Sequence, residues 1–151
     1  METQFDVLRT NRSLVAKIIK DIPLDKLHTT PEGFNNHIAW NVAHLVVTQQ
    51  LLNYKLSDKD CLIPDELIEG YRKGTFPGED FTAEEWQQVL DLFLGLPDTL
   101  EEDYKDDLFK TYTEYPTSTG FVLTDIDTAI AFNNYHEGIH LGIILSLSKL
   151  V

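Results

Sequence analysis

Apolar residues recur at helical spacing near the start of the chain, at Phe5, Leu8, Val15, Ile18, Ile19 and Ile22, with Arg9, Arg12, Lys17 and Lys20 largely between them. That stripe predicts a first amphipathic helix, ended by Pro23. A loop through Thr29, Thr30, Pro31 and Gly33 follows, and His28 just before it reads as a surface residue. The next pattern differs in kind. NHIAWNVAHLVVTQQLLNYKL, capped by Asn35 or Asn36 and running to about Lys55, is apolar nearly all round in its middle, as expected of a helix packed on several sides.

Between Ser57 and Phe81 the periodicity fades, and Pro64, Gly70, Gly74, Pro77 and Gly78 mark turns, with one short helix predicted from Asp65 to about Tyr71. Loops of this length inside a compact domain often line a site, and Tyr71, Arg72 and Lys73 put a cluster of donors there. A third long helix opens with TAEE, a capping box from Thr82 to Glu85, and buries Trp86, Val89, Leu90, Phe93 and Leu94. Gly95 and Pro97 are expected to kink or break it before it resumes over Thr99 to Asp106. The Thr/Tyr-rich FKTYTEYPTSTGFVL then predicts an extended connection able to hold a short hairpin. TDIDTAIAFNNYHEGIHLGIILSLSKLV closes the chain as a fourth long helix, with Thr124 as N-cap and Asp127 three residues on, a carboxylate-bearing variant of the capping box.

Four long helices with connections of unequal length describe an all-α four-helix bundle, the long connections lying between helices two and three and between three and four. A chain of 151 residues is expected to form a single domain that buries roughly two-thirds of its unfolded surface. Its 12 basic and 25 acidic residues give a formal charge of -13, which repels a phosphate backbone and an anionic membrane surface and argues against nucleic acid or membrane as partner. From Thr82 to Asp107 there are nine acidic residues and one lysine; they alternate with the apolar stripe instead of joining it, and read as a solvated face rather than a metal cluster. The opening METQFDVLRTNRS lacks the apolar run of a signal peptide, so a cytoplasmic location is expected. Cys61 is the only cysteine, which rules out an internal disulfide and a cysteine-built zinc site, so any metal must use His, Asp or Glu.

The histidines change this picture from a plain bundle to one with chemistry. His136 and His140, four residues apart, would lie about 40° apart around a helix and about 6 Å apart along it, close enough to share one metal ion. Their face continues through Ala129, Phe132 and Asn133 and through Ile143, Ile144 and Leu147, so both rings point into the apolar interior. A buried imidazole must stay neutral or find a partner, and two protonated rings facing each other repel; a divalent cation removes that conflict. Core histidines satisfied by backbone carbonyls or by Asn133 are the plain alternative. In the second helix His44 lies in the apolar middle, flanked by Ala43 and Leu45. His37 stands on a similar face but about 10 Å earlier along the axis, too far to share an ion with His44, and reads as a capping or solvent-edge residue. If the second and fourth helices are neighbours, His44 faces His136 and His140, giving three neutral nitrogen donors suited to Zn²⁺ or Ni²⁺ with one position left for water or substrate.

In this order and at these intervals, GFNNHIAWNVAHL with Trp40 and His44, YRKGTFP from Tyr71 to Pro77, and HEGIHLG from His136 to Gly142 resemble the DinB-like superfamily over nearly the whole chain. The resemblance implies a four-helix bundle with a three-histidine metal site, which falls here on His44, His136 and His140. There are two departures. Many relatives carry a glutamine just after the HxxxHxG motif, where this chain has Ile143, and His37 stands where relatives often show asparagine, outside the shared site. Relatives of known activity are mostly transferases or isomerases that use a low-molecular-weight thiol, so the resemblance implies a small-molecule substrate and a metal that keeps such a thiol deprotonated. Activation of water for hydrolysis is the parallel chemistry.

Because many relatives have no demonstrated activity, a non-catalytic metal-binding or interaction protein is the competing class. A homodimer paired through helices is compatible with either. HEGIH also satisfies the HExxH of zinc peptidases, a chance match in a bundle with no sheet edge to align a peptide. In the bundle Glu137 is rotated about 100° from His136 and is expected to meet solvent or another chain. Asn41 and Asn133, each three residues before a candidate ligand, are expected to act as packing polar groups, with contact to a substrate at the open position as the alternative. A cleft lined by the Tyr71 to Pro77 loop and the Tyr112 to Phe121 connection would mark an enzyme, whereas a fourth ligand closing the site would mark a structural metal.

Overall fold

The computed structural model describes residues 1–151. Its long helices are α1 (Glu2–Ile19), α3 (Ile38–Asn53), α5 (Ala83–Lys105) and α6 (Ile126–Leu147), with short helices α2 (Leu24–Leu27) and α4 (Asp65–Tyr71) and a two-residue antiparallel pair, β1 (Tyr115–Pro116) and β2 (Val122–Leu123). The helical bundle expected from the hydrophobic pattern is what forms. No helix is long and apolar enough to cross a membrane.

Burial follows the two kinds of pattern in the sequence. Only Thr48 and Leu51 of α3 escape full burial, whereas α1 and α5 bury one stripe each, through Phe5, Leu8, Val15 and Ile19 in α1 and Trp86, Val89, Phe93, Leu96 and Leu100 in α5. Both α3 and α1 pack against α5 and α6, so α1 and α3 face each other diagonally across the bundle. The main core lies between them, with Val15, Leu45, Phe93 and Ile144 among its fully enclosed members. Burying each such side chain contributes about 1.5–3 kcal/mol.

Arg12 joins all four long helices. It sits in α1, is 1 % exposed, and reaches Glu137 of α6 through Nε at 3.0 Å and Nη2 at 2.6 Å, the Phe93 carbonyl of α5 through Nη1 at 2.8 Å, and the Leu45 carbonyl of α3 through Nη2 at 3.4 Å. This explains why α5 runs unbroken through Gly95 and Pro97, where a kink or break is expected from sequence. Proline lacks the N–H that would bond the carbonyl four residues back, which is that of Phe93, and Arg12 supplies the missing donor. The adjoining Leu96 carbonyl accepts from Gln49 Nε2 of α3 at 3.2 Å. The proline costs a helical hydrogen bond and the fold replaces it with a tertiary one.

Two helix starts lie slightly downstream of the expected residues. Asp125, not Thr124, caps α6, in a reciprocal box with Thr128, because the Asp125 carboxylate reaches the Thr128 N–H at 2.8 Å while the Thr128 hydroxyl accepts from the Asp125 N–H. His37, not Asn35 or Asn36, caps α3, its Nδ1 accepting from the Trp40 N–H at 2.9 Å. The Thr82–Glu85 box on α5 and the short α4 form where expected. The 106–125 connection holds the small β1–β2 hairpin, turned by Gly120 at φ +85°.

Candidate metal centre

α3 and α6 are neighbours, and their contact brings His44 opposite His136 and His140. His136 Nε2 lies 3.3 Å from His44 Nε2 and 3.1 Å from His140 Nε2, and one nitrogen from each ring falls within 4.8 Å of the others. The opposite edges of two rings are anchored. His44 Nδ1–H donates to the Tyr71 carbonyl at 2.7 Å, and His140 Nδ1–H donates to Asn41 Oδ1 at 2.7 Å. The Asn41 amide is itself oriented, since its Nδ2 donates to the His37 carbonyl at 2.8 Å and leaves only the oxygen for His140. Both anchors place the proton on Nδ1, so the Nε2 lone pairs of His44 and His140 point inward. His136 Nδ1 is buried without a protein partner. Trp40 stacks on His44 at 4.6 Å and 12°, fixing its plane, and the Thr48 hydroxyl lies 3.3 Å from His44 Nε2.

Electrostatics and burial agree on the protonation state. Burial, reinforced by His140 and His44, lowers His136 to about 3; burial and His44 lower His140 to about 4; burial lowers His44 against the opposing pull of the Tyr71 carbonyl. The rings are therefore neutral at pH 7. The His44 and His140 Nε2 lone pairs lie 3.3 and 3.1 Å from His136 Nε2, which donates to one of them when it carries the ring proton and completes a set of three neutral nitrogen donors fit for a divalent ion when the proton is on Nδ1.

A scan against protein families finds a match to the DinB superfamily over residues 8–144. The chain belongs to the DinB superfamily. No match is found among curated proteins. Membership and the three-histidine cluster are consistent with each other, and the cluster could hold a metal ion.

In this DinB superfamily protein the cluster forms part of the wall of a cavity of about 440 Å³. Lys73 from the α4–α5 loop and Tyr115, Thr117, Ser118 and Thr119 from the hairpin connection line it, so both segments named from sequence meet beside the histidines. Leu51, Leu52, Phe132 and Ile139 supply apolar walls. No fourth His, Cys, Asp or Glu joins the triad.

Several residues take roles other than those read from sequence. Glu137 does not meet solvent: it is 1 % exposed and bound to Arg12, and burial raises its pKa while Arg12 opposes the rise. That pairing turns it to the bundle centre and away from a general-base role in an HExxH site. His28 is half-buried, not a surface residue, with Nδ1–H donating to the Leu24 carbonyl at 2.8 Å and Nε2 accepting from the Phe81 N–H at 3.1 Å. His37 is a cap, as one of its two readings has it, but it is 4 % exposed and not at a solvent edge. Asn41 positions His140, whereas Asn133 is a buried packing group. The Tyr71 carbonyl is missed by sequence reasoning, because a backbone acceptor leaves no residue-type signal. Asn41 does leave one, as a polar residue in an otherwise apolar helical segment three positions before His44.

Proposed function

We propose that this protein is a metal-dependent enzyme in which His44, His136 and His140 hold one divalent ion, Zn²⁺ or Ni²⁺, and the adjoining cavity takes a small-molecule substrate. The observation that carries this reading is the convergence of three Nε2 atoms, two of them with their Nδ1 edges tied back, at the wall of an open cavity. When bound there, such an ion supplies Lewis acidity that lowers the pKa of a thiol or a water reaching its free position.

The chain's own residues prepare that position. Asn41 and the Tyr71 carbonyl hold the proton on Nδ1 of His140 and His44, Trp40 fixes the His44 plane, and Leu51, Leu52, Phe132 and Ile139 give the substrate an apolar surface. The lining has no carboxylate to serve as general base, so a thiol or a water bound there would lose its proton to solvent under the influence of the ion.

The test is elemental analysis of untagged protein dialysed without chelator, wild type beside His44→Ala and His140→Ala. Near one equivalent of zinc or nickel that disappears in both variants supports the reading and leads to a screen of low-molecular-weight thiols with electrophilic acceptors, then of hydrolysis. Folded wild type that retains no metal and does not respond to added metal would sink it. Full metal occupancy with no turnover of any thiol or water substrate would favour the metal-binding, non-catalytic reading.

A further inference from the structure

The charge of the cavity runs against the charge of the chain. The protein has 25 acidic residues against 12 basic ones, yet the cavity lining holds two lysines, Lys55 and Lys73, and no aspartate or glutamate. Nor are these lysines committed elsewhere. Arg9, Arg12, Lys20, Arg72, Lys105 and Lys110 each have a carboxylate within ion-pair distance, whereas Lys55 and Lys73 have none, as is also true of Lys17, Lys26, Lys59 and Lys149. Lys55 and Lys73, both exposed, are set apart from the other unpaired lysines by lining this cavity, which no carboxylate lines.

Both lysines come from segments held to the site. Lys73 lies two residues beyond Tyr71, whose carbonyl accepts a hydrogen bond from the His44 ring N–H, so the segment that leads into the lysine also orients a histidine. Lys55 opens the 3₁₀ turn Lys55–Ser57 directly after α3, and the Leu56 carbonyl in that turn accepts from the Thr113 N–H at 2.6 Å, which ties it to the connection bearing the hairpin. The same cavity is lined by Leu51, Leu52, Phe132 and Ile139, with hydroxyl groups from Thr48, Thr117, Ser118 and Thr119.

We propose that Lys55 and Lys73 bind the anionic group of an amphipathic organic acid, whose apolar body lies along the four apolar side chains and whose reactive end reaches His44, His136 and His140. This deepens the reading of the cavity as a substrate site and rests on it. Two unpaired cations in a cavity without carboxylates attract an anion and repel a cationic substrate, and the field of the surrounding acidic surface would otherwise exclude an anion. The rest of the lining selects an apolar body over a small inorganic ion.

The probe pair is anilinonaphthalene sulfonate and phenylnaphthylamine, which share an aromatic body and differ in the sulfonate. Both are titrated by fluorescence into the protein as purified, for the wild type, Lys55→Met/Lys73→Met and Lys55→Arg/Lys73→Arg. We expect the double Met variant to lose about tenfold in affinity for the sulfonate, the neutral dye to change less than about twofold, and the Arg variant to bind the sulfonate like the wild type. The sulfonate should also shift the His136 and His140 ring proton signals. Equal loss of both dyes, an unchanged sulfonate affinity, or histidine signals that do not move would overturn the proposal. Metal content measured on the same samples separates the two readings: discrimination between dyes without bound metal supports anion binding while removing the metal, and bound metal without discrimination overturns the anion site alone.

Discussion

Two groups of histidines in this bundle are equally close and chemically opposite. The His28 and His37 rings are 5.1 Å apart, within the spread of the triad's 4.4, 4.9 and 5.1 Å. In the pair the backbone has taken three of the four nitrogens: the Leu24 carbonyl and Phe81 N–H on His28, and the Trp40 N–H on His37. In the triad the protein anchors only two Nδ1 edges and leaves three Nε2 atoms facing one another. Proximity of imidazoles therefore does not make a metal centre. Ring nitrogens left free of backbone partners are what let the triad hold an ion, and the pair at His28 and His37 fastens α3 to the segments around it.

The largest effect that can break this comparison lies at Glu137, adjacent to His136 in sequence and outside both groups in space. Glu137→Ala leaves Arg12 buried without its counter-charge and is expected to cost about 3–5 kcal/mol in urea unfolding, with the metal content of the folded protein unchanged. Metal loss at unaltered stability would return Glu137 to the site. Next in size, His140→Ala should weaken zinc binding at least about 100-fold in competition with a chelator while helicity is retained, and His28→Ala should leave zinc affinity as it is. An equal loss from both would erase the distinction between the groups. Asn41→Ala tests the anchoring: without its oxygen the His140 ring loses its fixed tautomer, and zinc affinity should fall about 10- to 100-fold, with Asn41→Asp recovering much of it.

The bundle was legible because periodicity reports burial. The one-stripe pattern of α1 and the all-round pattern of α3 correspond to an outer and a central helix. The triad was legible because four-residue spacing fixes His136 and His140 on one face whatever surrounds them, and His44 needed only that α3 and α6 adjoin. Glu137 was misread because it looks like a polar residue on a solvated face until its partner Arg12, 125 positions away, is known. Pro97 was misread likewise, since the donor that replaces its missing N–H comes from another helix. Local rules predict what neighbours along the chain decide, and these residues are decided by tertiary partners.

The smallest effect at neutral pH belongs to His37, and it sharpens the contrast by separating a structural imidazole from its titration. Burial, then the neighbouring His28, lowers its pKa to about 4, with Asp80 opposing, against 6.5 in an unfolded chain. Between those values the unfolded state binds a proton that the native state does not. The contribution of the neutral ring is thus fully present above pH 6.5 and is lost as pH falls toward 4. His37→Asn keeps a side-chain acceptor for the Trp40 N–H and removes the titration, so its stability should match the wild type within about 0.5 kcal/mol at neutral pH. In urea unfolding repeated from pH 7.5 down to about 4, the variant should become progressively the more stable of the two. His44, His136 and His140 titrate alike in both proteins and cancel in the difference. Parallel pH curves would mean that the cap does not depend on a neutral ring, and that His28 and His37 are not distinguished from the triad by spending their lone pairs on the backbone.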